Sequence, residues 1–262
     1  MTARHTLRLG DVEVEVRPDR GALITRLNVA GIDVLYLDAA TVESPTGAVR
    51  GGIPLLFPFA GELENGRLQS TNTAMPRHGF GRRRPWAVAN SAPNMIAMRL
   101  ADDSETRAEF PFEFEATQTV AATHRGVSIE LAIANRGRQP LPLAPGWHPY
   151  FPCPADRKRA CLRQLLPPEA IPSAEPTAID VNVPAPVNRR VTFALTTIGS
   201  VTLSCSDNLK TLEIWTPPDR DLVCVEPWVG PSNTINTANR VAVPSGATER
   251  FWMAIELEPH PA

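Results

Sequence analysis

The chain has 262 residues, 43% of them hydrophobic and 21% charged, with a formal net charge of -2. That balance leaves ample apolar material for a core and argues against nucleic acid or an anionic membrane as partner, since both select clustered Lys and Arg. No window approaches the roughly 18 continuous apolar residues of a membrane span, and the opening Met-Thr-Ala-Arg-His lacks the apolar stretch of a signal peptide.

In chain order, the first clear element is Val12-Glu13-Val14-Glu15-Val16, which alternates apolar and charged side chains as a half-buried strand does. Turn signals follow at Pro18-Asp19-Arg20-Gly21 and Ala30-Gly31. Next comes Arg50-Gly51-Gly52-Ile53-Pro54-Leu55-Leu56-Phe57-Pro58-Phe59-Ala60-Gly61. Its prolines exclude a regular central strand or a helix interior, while the glycines allow backbone to approach a ligand closely beside Arg50. A proline-rich turn with a surface arginine is the plainer alternative for this segment alone.

Pro76-Arg77-His78-Gly79-Phe80-Gly81-Arg82 then gathers an imidazole, guanidiniums and two flexible glycines, followed by Arg83-Arg84-Pro85-Trp86. Arginine presents a planar fork of donors suited to phosphate or paired hydroxyls, though a solvated basic loop explains the run as well. Val127, Ile129, Leu131 and Ile133 predict another strand, closed by Asn135-Arg136-Gly137. Gly146-Trp147-His148-Pro149-Tyr150-Phe151-Pro152 sets one histidine among rings that could face the apolar side of a sugar.

Residues 165–186, rich in Pro, Ala and acidic side chains, read as an irregular excursion within one domain. Trp215, in Ile214-Trp215-Thr216-Pro217, is a candidate pocket aromatic. In Val223-Cys224-Val225-Glu226-Pro227-Trp228 the valines read as buried strand positions, and the strand is expected to end at Glu226, before Pro227. A further turn at Pro244-Ser245-Gly246 precedes a strand face of Phe251, Met253, Ile255 and Leu257.

Many short strands, little helical periodicity and 27 prolines against 16 glycines predict an all-β, antiparallel sandwich or barrel, formed as a single domain over residues 1–262. Cys153, Cys161, Cys205 and Cys224 lack zinc or redox spacing and read as reduced core thiols of a cytoplasmic protein, with no metal site expected.

Taken in order, Arg50-Gly-Gly-Ile-Pro, His78-Gly-Phe-Gly-Arg82, His148-Pro-Tyr-Phe and Glu226-Pro-Trp resemble the aldose 1-epimerases, the galactose mutarotase-like family, and especially its hexose-6-phosphate mutarotase branch. The resemblance runs from about residue 50 to 230. It implies a large antiparallel two-sheet β-sandwich, with a small-molecule sugar or sugar phosphate across the concave face of a sheet. It further implies Glu226 as general base and His148 as general acid, with Arg50 and His78 on the sugar and Arg82 at a phosphate. Such acid–base ring opening requires no metal or redox cofactor. Glu226 is expected to raise the proton affinity of His148 against the opposing effect of burial beside Trp147 and Tyr150.

Two departures stand out. Members of the family place an aspartate between the acid and the base, and none of Asp156, Asp180, Asp207, Asp219 and Asp221 lies in a matching context. Phe57-Pro58-Phe59-Ala60-Gly61 also lacks the more polar or Trp-containing versions common among phosphosugar enzymes. The competing function is a non-catalytic carbohydrate-binding β-sandwich, against which the presence of both His148 and Glu226 argues. A glycosidase would need two carboxylates flanking the bond, and only Glu226 is placed for that by sequence.

Overall fold

Alternation with period two dominates the chain, and the computed structural model turns it into antiparallel sheets; it describes residues 4–44, 49–173 and 178–259. The alternating Val12–Arg17 strand pairs with His5–Leu9 on one side and Leu23–Val29 on the other, and Ile32–Asp33 completes four strands. The Pro18–Arg20 turn ahead of Leu23 is a 3-10 turn closed by Gly21 at φ 74.

A seven-stranded sheet runs in the order Arg190–Leu195, Gly199–Cys205, Thr248–Pro259, Gly126–Asn135, Phe114–Thr123, Met95–Ala101, Ala87–Ala92. Along Phe114–Thr123 burial alternates at every residue, so Phe114, Ala116, Gln118, Val120 and Ala122 face inward. Phe251, Met253, Ile255 and Leu257 do the same on Thr248–Pro259, while Trp252 points outward.

The third large sheet has the order Ile179–Pro184, Thr211–Thr216, Leu222–Trp228, Gly146–Trp147, Leu55–Leu56, and Tyr150–Pro152 also pairs with Leu222–Trp228. The inward faces of the sheets share one apolar cluster reaching from Leu7 to Leu257. At its aromatic centre the Phe57 and Phe114 ring centroids lie 5.2 Å apart, with Phe80 and Phe110 around them. Gln118 is a buried polar residue on this inward face, and its bonds are satisfied: its amide donates to Ala22 O at 2.8 Å and accepts from the Trp147 indole at 3.0 Å. No helix among the described residues is long and apolar enough to cross a membrane.

The expected strands at residues 12–16, 127–133 and 251–257 lie within observed ones. Two expectations are corrected. Residues 165–186 are not irregular throughout, because Ile179–Pro184 is an edge strand of the third sheet. Edge residues are covered only in part, so their composition does not alternate and the strand leaves little trace in sequence. Residues 174–177 of that stretch lie outside the described ones. The strand carrying Glu226 does not end there either, but continues through Pro227 to Trp228.

Phe114→Ala should cost about 3–5 kcal/mol of stability, the range for truncating a fully buried phenyl ring. Chemical denaturation checks this, and a loss under about 1 kcal/mol would contradict the packing described.

Candidate functional site

The Leu222–Trp228 strand is buried at all seven residues, so its side chains meet protein on both faces. Period-two alternation puts Cys224, Glu226 and Trp228 on one face. In register, Glu226 faces Glu213 on Thr211–Thr216, and Glu213 faces Asn182 on Ile179–Pro184. Trp215 is the partner of both Cys224 and Asp180. Three strands thus carry a polar row, Asn182–Glu213–Glu226, with Asp180 on the same face of the edge strand.

On the other side of Leu222–Trp228 the ladder is interrupted. Tyr150 pairs with Cys224 and Gly146 with Trp228, leaving residues 147–149 to cross the gap beside Glu226. Pro149 and Pro227 have no N–H to offer a continuous ladder, so both fit a break. The His148 and Tyr150 N–H groups donate instead to Pro54 O and Gly52 O, each at 3.0 Å. Gly52 itself lies tight against the Leu23–Val29 strand, since at φ +67 a Cβ there would lie 2.2 Å from Ile24 O.

The crossing brings His148 Nδ1 to 3.2 Å from Glu226 Oε1, with both side chains buried. The approach is close but poorly aligned, and Nδ1 has no hydrogen-bond partner among the described residues. The His148 ring stacks on Tyr150 at 4.4 Å and 5° and meets the edge of Trp215 at 5.8 Å. Its Nε2 is 3.4 Å from the Tyr150 hydroxyl. The Trp228 indole N–H donates to Glu226 Oε2 at 3.2 Å.

His78 closes the opposite wall. It sits at φ 64, a conformation that costs a non-glycine residue energy, and two bonds to Gly61 hold it there. The His78 N–H donates to Gly61 O at 2.8 Å, and the Gly61 N–H donates to His78 Nδ1 at 2.9 Å. Because Nδ1 accepts, a neutral ring carries its proton on Nε2. The Arg77 Nε–H also points at Nε2, at 3.2 Å, but a neutral imidazole accepts at one nitrogen only; the shorter contact from the Gly61 backbone takes that place, and Arg77 must turn aside for Nε2–H to meet an oxygen of a ligand. Gly79 follows at φ +66, where a Cβ would come within 2.2 Å of Phe57 O.

Arg50, Arg77 and Arg82 stand around the same pocket of about 250 Å³, with Tyr150, Asp180, Glu213 and Trp215 completing its lining. Arg50 lies over the Trp215 ring at 5.9 Å. Arg77 pairs with the exposed Glu62 at 3.3 Å. Among the described residues, neither Arg50 nor Arg82 reaches a carboxylate. Burial pulls Arg82 down to about 10, so its positive charge is poorly compensated by solvent.

Burial also dominates the other titrating groups. It pushes His148 well below the usual imidazole range, with Arg82, Arg77 and Arg50 adding to the effect. His78 is lowered by burial and by Arg82. Glu226 is raised well above the usual carboxyl range by burial and by the nearby Glu213. The expectation that Glu226 would raise His148 is therefore reversed: desolvation and three guanidiniums outweigh one carboxylate. Burial thus acts on both members of the pair in the same sense, favouring the neutral imidazole of His148 and the neutral carboxyl of Glu226.

All five residues singled out by motif, Arg50, His78, Arg82, His148 and Glu226, line this one pocket, together with Trp215. Trp147 does not: its side chain turns into the core toward Gln118, and Tyr150 alone supplies the stacking partner. Of the five candidate aspartates, Asp180 is the one in the pocket. Arg77, Glu213 and Trp228 were not anticipated as pocket residues. For Glu213 a signal existed, a carboxylate between Leu212 and Ile214 in a short strand-like run. His148, Cys224 and Glu226 place potential ligand atoms within 4.8 Å of one another. Three guanidiniums beside them, and a thiol held protonated by burial, make that set a poor host for a divalent cation.

The aldose 1-epimerase family model matches residues 5–167, well over half of the chain. The chain belongs to the aldose 1-epimerase family. Its fold matches a crystal structure of a Synechocystis protein at 26% identity and TM-score 0.86, covering 99% of this chain and 97% of that one. It likewise matches a galactose mutarotase related enzyme from Lactobacillus acidophilus at 18% identity and TM-score 0.78, covering 98% and 97%. A protein of Cenchrus ciliaris provisionally named glucose-6-phosphate 1-epimerase is 27% identical over 146 residues, 50% of this chain and 41% of that relative. One of Salmonella typhimurium with the same provisional name is 31% identical over 86 residues, 31% of this chain and 27% of its own length. The matched stretches thus span less than half of those curated relatives.

Both pocket histidines should remain neutral as pH falls from about 7.5 to about 5.5, across the ordinary imidazole value. Imidazole nitrogen NMR is expected to show His78 with its proton on Nε2 throughout. Protonation of His78 in that interval would contradict the burial and the Gly61 contact.

Proposed function

We propose that the protein interconverts the α and β anomers of a hexose 6-phosphate, with free aldoses as poorer substrates. The observation that carries this reading is a buried His148–Glu226 pair, 3.2 Å apart, beside Arg50 and Arg82, which reach no carboxylate among the described residues. Anomer exchange needs one proton taken from the C1 hydroxyl and one delivered to the ring oxygen. As the C1 hydroxyl loses its proton, its electron pair forms the aldehyde, the bond from C1 to the ring oxygen breaks, and that oxygen takes a proton. Rotation about C1–C2 and the reverse steps close the other anomer. The pair's proton count is unchanged at the end of the cycle.

Glu226 takes the role of base and His148 that of acid, with the His78 Nε2–H directed at a sugar oxygen. The neutral pair and the ion pair hold the same single proton, and the guanidiniums decide which dominates. Phosphate bound at Arg82 and Arg50 offsets the positive charge that depresses His148, so its proton affinity rises when substrate is in place. A phosphorylated sugar thereby prepares its own acid. A purely carbohydrate-binding protein would have no use for a buried acid–base pair. The same reading takes residues 1–262 as one domain and places it in the cytoplasm, where four buried free thiols are suited to reducing conditions.

Glu226→Gln should lower catalysed anomer exchange by at least about a hundredfold, the scale of lost general base catalysis. Near-normal turnover of a folded Glu226→Gln protein, followed by polarimetry, would remove Glu226 from the mechanism. Arg82→Ala should raise KM for the phosphosugar by about tenfold or more while sparing a free aldose, as loss of a charge-assisted contact requires. Equal effects on both sugars would show that Arg82 does not read phosphate.

A further inference from the structure

Arg50 can present its guanidinium to a phosphate only if the backbone beneath it stays in place, and the local sequence works against that. Arg50 is exposed and is followed by Gly51 and Gly52, the residue type with least conformational restraint of its own. A mobile backbone under a long side chain spreads its charge over many positions, and that freedom is lost on binding.

Three hydrogen bonds close a ring that holds Arg50. Its N–H donates to Thr41 Oγ1 at 2.9 Å, the Thr41 hydroxyl donates to Asp38 O at 2.7 Å, and the Asp38 N–H donates to Arg50 O at 2.9 Å. Both backbone groups of Arg50 are engaged, and the Thr41 hydroxyl is the one side-chain group in the ring. Thr41 sits on the helical turn Ala39–Glu43, which Arg17 secures by donating to Glu43 Oε1 at 2.9 Å.

Asp38 precedes that turn, where an aspartate ordinarily caps with its carboxylate, yet its side chain makes no capping bond. It accepts instead from Arg220 at 3.0 Å. Arg220 lies between the paired strands Thr211–Thr216 and Leu222–Trp228, and the first of these carries Trp215, whose ring centre is 5.9 Å from the Arg50 guanidinium. The Arg50 loop thus meets one hairpin at two points, through Asp38 and through Arg50 itself.

We infer that Thr41 is a positioning residue for Arg50: its hydroxyl fixes the Arg50 backbone so that the guanidinium stands over Trp215, ready for the phosphate of the substrate. This rests on the proposed phosphosugar reading and extends it to a residue that does not line the pocket. Valine at this position keeps the branched shape but offers neither the acceptor for Arg50 nor the donor for Asp38, whereas serine offers both. Water can reach the exposed Arg50 N–H, so losing the hydroxyl falls on position more than on stability.

Amide hydrogen exchange of the ligand-free protein tests the ring itself. Because Arg50 is exposed, protection of its amide comes from Thr41 Oγ1 rather than from burial. Exchange at Arg50 should be about fivefold or more faster in Thr41→Val than in the wild type, the scale of one hydrogen bond, and Thr41→Ser should restore the slow rate. An Arg50 amide that exchanges equally fast in all three proteins overturns the inference whatever the protein catalyses.

Calorimetric binding of glucose 6-phosphate tests the consequence. Thr41→Val should weaken Kd by about fivefold or more and Thr41→Ser by less than about twofold. Arg50→Ala should weaken it by about tenfold or more, as loss of a charge-assisted contact requires. Adding Thr41→Val to Arg50→Ala should then change Kd by less than about twofold, since no guanidinium is left to position. A full additive loss in that double variant, or a wild-type Kd for Thr41→Val, overturns the positioning role and leaves the phosphate reading intact. An unchanged Kd in Arg50→Ala removes Arg50 from phosphate binding and the role of Thr41 with it. None of these readouts needs turnover, so a protein that shows the coupling but exchanges no anomers fails the epimerase reading alone.

Discussion

The site depends on a break in one ladder. Leu222–Trp228 is a fully buried strand, and its neighbour on one side pairs at Cys224 and again at Trp228 but not between. Two prolines, Pro149 and Pro227, flank that gap and supply no backbone donors to it. A continuous ladder would have filled this space with paired backbone and given residues 147–149 regular alternation. The break instead sends Trp147 inward to Gln118 and delivers His148 to Glu226.

Burial then does the electrochemical work. A solvated His and Glu at 3.2 Å would form an ordinary ion pair with little consequence. Here both side chains are removed from water, and each is driven toward its neutral form. The surrounding guanidiniums sharpen this by opposing a charge on His148. Such an arrangement is unfavourable for stability and suited to moving a proton, the usual sign of a site kept for chemistry. The same pocket holds a second carboxyl pair on its far wall, so charge around Glu226 is set from two sides.

Much of this was legible in the sequence, though unevenly. Strands whose one face is buried and other solvated, such as Gly126–Asn135 and Thr248–Pro259, declare themselves through alternation. The motif residues were legible because glycine, proline and histidine together are unusual in plain structure. Ile179–Pro184 was not, since an edge strand covered only in part has no reason to alternate. Pro227 misled for a related reason: proline ends a strand whose ladder is complete, and this ladder is broken where it sits. The protonation of His148 could not be read from sequence at all. It follows from how many guanidiniums converge in space, and Arg50, Arg77 and Arg82 come from two loops that only the fold brings together.

The most direct measurement is magnetisation exchange between the α and β anomeric proton signals of glucose 6-phosphate at equilibrium, with and without catalytic amounts of the protein. The account predicts exchange far above the spontaneous rate, and faster for the phosphosugar than for glucose. An exchange rate no greater than that of buffer alone, with the phosphosugar demonstrably bound, would contradict it.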